Sequence, residues 1–171
     1  SSLTSTNWRA KFRVYKPSIL NYTSDDLKSL KRKGIKFLPL VDFIRNQQKL
    51  FDSLSTNWDE GISGLIHGDL KNSNSIVFNE RGKRKIKIID FEFVCIGNRE
   101  WDLAIFIASL LSNTTIPTTD NNGGTILDEI SDYIRKFLNG YLHQINYTDD
   151  SIALQRRILQ LAGVYFLQRF I

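Results

Sequence analysis

From Phe37 onward the apolar residues fall at helical spacing. Phe37, Leu40 and Phe43 run beside Leu38, Val41 and Ile44, followed by Leu50, Phe51 and Leu54. Arg45, Asn46, Gln47 and Gln48 take the other face. A single apolar stripe with a period near 3.6 predicts an amphipathic helix whose stripe belongs to a core. Upstream, Thr23 or Ser24 can cap a short helix over Asp25 to Lys31, which Gly34 would end. The preceding stretch, WRAKFRVYKPSIL from Trp8, has irregularly spaced apolar residues, and Pro17 interrupts any helix there. Ser55 to Gly64 reads as a loop, and Leu65 and Ile66 as a short strand.

The period then changes. Ser75 to Phe78 is an apolar strand, Gly82 sits in a polar turn, and Lys85 to Ile89 alternates, which together predict a hairpin. Beyond Gly97 a helix begins near Asn98 or Arg99. Trp101, Leu103, Ala104, Phe106, Ile107, Leu110 and Leu111 make it apolar nearly all round, so it should be buried. Ser112 to Gly124 is a polar loop rich in turn residues. Ile126 to Leu142 carries a long amphipathic pattern, and Thr148 or Asp149 starts a last helix that passes Leu167. There is no internal repeat. The fold class predicted is α+β, mostly helical.

The chain has 171 residues, enough for one domain with a real core. Its 42% hydrophobic and 24% charged residues are those of a soluble globule and argue against a disordered chain. No apolar run is long enough to span a membrane, and the start, SSLTSTNWRAKFR, holds no apolar leader. Cys95 is the single cysteine, which excludes a disulfide within the chain and a cysteine-based metal site and fits a reducing, cytoplasmic setting. Three Asn-Tyr/Thr-Thr sequons, at Asn21, Asn113 and Asn146, therefore read as chance matches to the glycosylation pattern. The net charge of +5 suits nucleotide phosphates as well as nucleic acid. The densest basic runs, Lys28 to Lys36 and Arg81 to Lys87, lack interleaved aromatics and read as solvated surface, which argues against a nucleic-acid partner. With no Met and a first residue Ser, the chain reads as processed or as a fragment.

The chemistry lies between Leu65 and Ala104. A loop, HGDLKNSN, runs from His67 to Asn74; the second hairpin strand ends in IIDFEF, from Ile88 to Phe93; GNREWDLA follows. A hairpin of this length returns beside its start, which puts Asp90 near Asn74, five residues after Asp69. Two carboxylates and an amide suit Mg-dependent phosphoryl transfer. One carboxylate orients the acceptor hydroxyl and takes its proton, while hard oxygen ligands hold Mg²⁺ on the nucleotide phosphates. The order Asp, Asn, Asp and the first spacing follow the protein-kinase set H-R-D-x-x-x-x-N and D-F-G. Singly, Asp69 reads as a turn residue, Asn74 as a cap and Asp90 as a strand end. Their joint occurrence outweighs those readings.

The segment resembles the aminoglycoside phosphotransferase and choline kinase family, relatives of the protein kinases. The likeness rests on His67-Gly68-Asp69, Asn74, Ile89-Asp90-Phe91-Glu92, Gly97 and Trp101-Asp102-Leu103-Ala104, and it is dense over about forty residues and weak outside them. It implies Asp69 as catalytic base, and Asn74 and Asp90 as Mg²⁺ ligands at the nucleotide. His67 would brace the loop. Lys71 would either touch the transferred phosphate or be solvated surface. Gly97, Trp101 and Asp102 would support the site, Asp102 by bonding back to the loop, and Glu92 would serve the fold.

The fold implied is the carboxyl-terminal lobe of a protein-kinase-like phosphotransferase, with a small β-hairpin carrying the catalytic loop. Residues 1–64 would be a helical lead-in, 65–104 the catalytic and metal-binding segment, and 105–171 a helical subdomain. Before His67 there is no strand series, Gly-rich loop or Ile-Lys signature, so the amino-terminal lobe is expected to be missing and this chain alone inactive. The resemblance implies transfer of the γ-phosphoryl group of ATP or GTP to a hydroxyl of a small molecule of aminoglycoside, choline or ethanolamine, sugar or amino-alcohol type. Its partners would be nucleotide, acceptor and the missing lobe, with no membrane. The alternatives are a pseudokinase or regulatory lobe, or a kinase acting on peptide Ser or Thr. The second is similar to lanthipeptide biosynthesis around HGDLK and at Pro17 to Leu20.

Overall fold

A computed structural model describes residues 12–112, 126–145 and 150–169. Trp8, the sequons at Asn113 and Asn146, most of the loop after Ser112, and the candidate helix starts Thr148 and Asp149 lie outside the described residues. Helices dominate, and the strands form two small antiparallel pairs, so the α+β, mostly helical class holds.

The first helix, α1 (Ser24–Lys33), starts as its sequence allows. Thr23 Oγ1 accepts from the Asp26 N–H at 3.2 Å, and the Asp26 carboxylate accepts from the Thr23 N–H at 2.8 Å. This reciprocal capping box satisfies two amides that a helix start leaves unpaired. Gly34, at φ 139°, ends the helix.

The long stripe from Phe37 forms two helices, α2 (Leu38–Asn46) and α3 (Gln48–Glu60), separated at Gln47. Ser55 to Glu60, expected as loop, continue α3. The reason is Trp58, which extends the row of Phe51 and Leu54 and is 1% exposed. Burying an indole outweighs the weak helix propensity of the Ser-Thr-Asn run before it. Trp58 meets Trp101 edge-on at 5.5 Å between ring centroids, and Tyr15 packs on both, at 6.1 and 5.9 Å. Tyr165 closes on Trp101 at 5.8 Å. Four distant parts of the chain thus meet in one aromatic cluster.

Strand β1 (Ile62–Ile66) runs antiparallel to β4 (Cys95–Asn98), a strand of four residues without enough alternation to be read from sequence. The stretch before Pro17 joins it. Tyr15 N–H donates to the Ile96 carbonyl and Ile96 N–H to the Arg13 carbonyl, each at 2.9 Å, giving a parallel bridge at Val14. The expected hairpin forms between β2 (Ser75–Glu80) and β3 (Lys83–Ile88), with Ser75 opposite Ile88. Arg81 and Gly82 have φ of 51° and 76°, the left-handed pair that a two-residue turn needs to match strand twist. Val77 and Ile86 face each other on one side of this ribbon and both are exposed.

Helix α4 (Arg99–Ser112) buries Trp101, Leu103, Ala104, Ile105, Ile107 and Ala108, in keeping with its apolar circumference. It packs along α6 (Ser151–Gln168), and Arg157 of α6 pairs with Glu100 of α4. Asp150 caps α6, its carboxylate accepting from the Ile152 and Ala153 N–H groups at 3.0 Å. Helix α5 (Ile126–Gln144) lays Ile130, Leu138 and Leu142 against the core. Among the described residues no helix is long and apolar enough to cross a membrane.

If Trp58 holds the N-terminal segment and α3 onto α4, Trp58→Ala should cost about 3–5 kcal/mol in urea unfolding. Ile35→Ala, at a side chain 83% exposed, should change stability by about 0.5 kcal/mol or less.

Candidate active site

Strand β1 runs into the loop at His67, and the first turn of α4 receives it. The Asp102 carboxylate accepts from the His67 N–H at 2.7 Å and from the Gly68 N–H at 2.9 Å, one on each oxygen. Gly68 has φ 81°, and a Cβ there would lie 2.4 Å from the Phe93 carbonyl oxygen. The loop can therefore cross over residues 91–93 only with glycine at this position. Burial raises the pKa of Asp102, and the two amide donors partly offset that rise.

The His67 ring is buried between two segments. Its Nε2 lies 2.9 Å from the Ile89 carbonyl oxygen, and the Asp69 N–H points at its Nδ1 at 3.3 Å. A carbonyl only accepts, so Nε2 carries the proton and Nδ1 is the acceptor. The ring also packs on Phe91, 5.0 Å between centroids. One side chain thereby ties the backbone at Asp69 to the backbone just ahead of Asp90.

The structure brings Asp69, Lys71 and Asn74 into direct contact. Lys71 Nζ is 2.8 Å from Asp69 Oδ2. Asn74 donates its amide to the Asp69 carbonyl at 2.8 Å and to Oδ2 at 3.3 Å. The bond to Asp69 raises the pKa of Lys71, so the ammonium is retained. Asp69 Oδ1 receives no hydrogen bond from the described residues. Sequence reasoning missed Ser109, whose Oγ accepts from the Asn72 N–H at 3.0 Å and donates to the Phe106 carbonyl at 2.7 Å. Its only signal was a lone hydroxyl inside the apolar run of α4.

Asp90 is joined to this group through the backbone. Ile89 N–H donates to the Asn74 carbonyl at 3.0 Å, extending the β2–β3 ladder by one bond. Asp90 itself is left-handed, at φ 66° and ψ 60°, a conformation non-glycine residues enter at a cost of about 1–3 kcal/mol. Such strain persists where flanking structure imposes it, here the His67–Ile89 bond on one side and a short turn over Phe91–Phe93 on the other. The Asp90 carboxylate is exposed and makes no hydrogen bond or ion pair with the described residues. Asn74 is buried with its NH₂ engaged, which leaves Oδ1 as its remaining polar atom. One amide oxygen and one carboxylate are hard donors that fit Mg²⁺, an ion that completes its octahedron with phosphate oxygens and water. Among the described residues no three His, Cys, Asp or Glu side chains gather as a metal cage.

Beside the loop opens a cleft of about 650 Å³. Gly68, Asp69 and Lys71 form one wall, Phe93, Val94 and Cys95 another, and Arg13 and Tyr15 lie along it. Glu92, assigned to the fold on sequence, lines this cleft and is exposed. Burial raises the pKa of both the Cys95 thiol and the Tyr15 phenol. Gly97 and Trp101 lie behind the cleft: Gly97 backs onto the Ile66 side chain, and Trp101 sits in the aromatic cluster.

Residues 8–129 match the sequence model of the Phosphotransferase enzyme family. No curated protein matches the chain.

Asp102→Asn keeps the shape but leaves only one acceptor oxygen for two amides, so it should weaken the loop anchor by about 1–3 kcal/mol. Faster hydrogen exchange at the His67 and Gly68 amides would show it. The pH dependence has a definite sign. Because the folded pKa of Asp102 lies above its unfolded value, ionisation costs stability. Wild type should therefore lose stability relative to Asp102→Asn as pH rises from about 4, the ordinary aspartate range, through the raised folded value, and level off above it.

Proposed function

The chain belongs to the Phosphotransferase enzyme family, and from that premise we propose that it moves the γ-phosphoryl group of ATP or GTP to a hydroxyl of a small-molecule acceptor held beside Asp69. The observation that carries this reading is the state of Asp69. One carboxylate oxygen is engaged by Lys71 and Asn74 on a loop anchored by Asp102, and the other is left free at a cleft.

The free oxygen, Oδ1, accepts the acceptor's hydroxyl proton as the new oxygen–phosphorus bond forms and the bond from the γ-phosphorus to the β–γ bridging oxygen breaks, the nucleoside diphosphate leaving. The Lys71 ammonium and the Asn74 amide hold the carboxylate in one orientation, so little is lost in positioning it at the moment of transfer. Lys71 also brings a positive charge to the side of the loop where phosphoryl oxygens gather charge. Asn74 Oδ1 and the Asp90 carboxylate are the residues that would hold Mg²⁺. When bound, that ion neutralises the β- and γ-phosphate oxygens. His67 is a positioning residue: through Ile89 and Asp69 it keeps the two oxygen-bearing segments in one relative setting.

In this reading residues 65–104 are the catalytic segment of a carboxyl-terminal lobe, residues 1–64 lead into it and 105–171 help to shape the acceptor pocket. An amino-terminal lobe completes the nucleotide site. Cys95 as the single cysteine supports a cytoplasmic setting.

The test is Mg-ATP turnover by the whole protein with a panel of hydroxyl acceptors, aminoglycosides, amino alcohols and sugars among them. Asp69→Asn should lower turnover by about 10²–10⁴-fold and leave Mg-nucleotide affinity in place. Retained turnover in that variant would remove the assignment, while binding without turnover in wild type would point to a regulatory lobe. Asp90→Ala should weaken nucleotide binding about tenfold or more, and only when Mg²⁺ is present, as loss of one charged oxygen contact predicts. Equal Mg-nucleotide affinity in both proteins would remove Asp90 from the metal site.

A further inference from the structure

A second pocket, of about 500 Å³, lies on the far side of the catalytic loop, between Lys71 to Ser73, the end of α4 and the end of α6. We propose that it is an oxyanion subsite, which takes the phosphate, sulfate or carboxylate group of a hydroxyl-bearing acceptor. The acceptor role rests on the phosphotransfer reading above; the anion site itself stands apart from it.

Three observations carry the inference. First, the charged residues lining the pocket among the described residues are Lys71 and Arg169, both positive. Arg169 lies near enough to Lys71 to act against its charge. Lys71 is already paired with Asp69, whereas Arg169 makes no ion pair among the described residues, so the unbalanced positive charge in this space is that of Arg169, and an anion there would balance it.

Second, the guanidinium of Arg169, an exposed side chain, is tethered to Tyr165. Arg169 Nη1 donates to the Tyr165 hydroxyl at 2.8 Å, and the guanidinium carbon lies 5.6 Å from the centre of the same ring. Four of its five N–H groups are not used in that bond, and the Tyr165 hydroxyl keeps its own proton to donate. Ser73 adds a hydroxyl, exposed at the mouth. Lys71 spends one N–H on Asp69 and has two more. Donors gathered around a cation are what an oxyanion requires, and an arginine tethered to Tyr165 loses less side-chain freedom on binding than an untethered one.

Third, Lys71 also lines the larger cleft with Asp69. A molecule whose anionic group sits against Lys71 and Arg169 therefore extends toward the Asp69 carboxylate by way of one shared residue. That selects acceptors carrying an alcohol at one end and an anionic group at the other, such as sugar phosphates or hydroxy acids. Purely cationic acceptors would meet like charge here.

The experiment is calorimetric titration of the 171-residue chain with inorganic phosphate at fixed ionic strength. Wild type should bind saturably. Arg169→Gln should bind about ten- to a hundredfold more weakly, the loss expected from one charge-assisted hydrogen bond, and Arg169→Lys should recover part of it. Ser73→Asp, a change at an exposed side chain, should abolish binding by placing a carboxylate among the donors. Equal affinity in wild type and Arg169→Gln, or no saturable binding in wild type, would overturn the subsite. A second arm repeats the titration on the whole protein, whose nucleotide site is complete in the reading above, with saturating Mg-ATP. Persisting phosphate binding supports the acceptor subsite, whereas displacement means that the pocket receives the nucleotide's own phosphate and overturns the acceptor role. Failure of Asp69→Asn to affect turnover would leave every one of these binding results unchanged, so the two readings fail separately.

Discussion

The geometry of the site hangs on one carboxylate. Asp102 accepts two consecutive backbone amides, those of His67 and Gly68, from a loop that has no helix or sheet partners of its own at that point. Two charge-assisted bonds on adjacent residues fix both the position and the direction of the chain as it leaves β1. Asp102 in turn lies in the first turn of α4, where acidic side chains suit the helix dipole, and α4 is the most deeply buried helix in the described part of the molecule. The rigidity of the core is thereby handed to Asp69. The charge is partly desolvated, and its raised pKa records that cost.

A second constraint keeps Asp90 in step with the loop. The hairpin returns the chain to Asn74 with a ladder bond at Ile89, and His67 grips the carbonyl of the same residue. Between these and the short turn at Phe91–Phe93, Asp90 adopts a left-handed conformation. Backbone strain of this kind is retained where the surroundings over-determine it, and it aims a carboxylate outward that an unstrained strand end would direct elsewhere. Val77 and Ile86, opposite each other on this ribbon, are both exposed and take no part in the core.

The cleft and the smaller pocket share Lys71, and this makes the loop a partition rather than a wall. On one side it presents Asp69 with Glu92, Phe93 and Tyr15; on the other it presents its cation toward Arg169 at the end of α6. Those linings come from positions 13, 15, 92, 93 and 169, which span nearly the whole chain. Only the packing of the first described residues against β4, and of α6 along α4, makes them neighbours.

The sequence alone was enough for features governed by nearest neighbours along the chain. The Thr23–Asp26 cap, the Gly82 turn, the apolar α4 and the order Asp69, Asn74, Asp90 all depend on spacings of a few residues, or on one hairpin, and local chemistry decides them. Three features escaped it: the helical state of Ser55 to Glu60, the short strand β4, and the pairing of Arg13 and Tyr15 with Ile96. Each is stabilised by contacts made far away in sequence, Trp58 on Trp101 and Ile96 between two partners. The same holds for the site. Residue types and intervals picked out Asp69, Asn74 and Asp90 as candidate oxygen donors. Which oxygen of Asp69 stays free, that Glu92 lines the cleft, and that Arg169 stands opposite Lys71 are set by tertiary packing, because a side chain's partners are chosen by distance in space rather than distance along the chain.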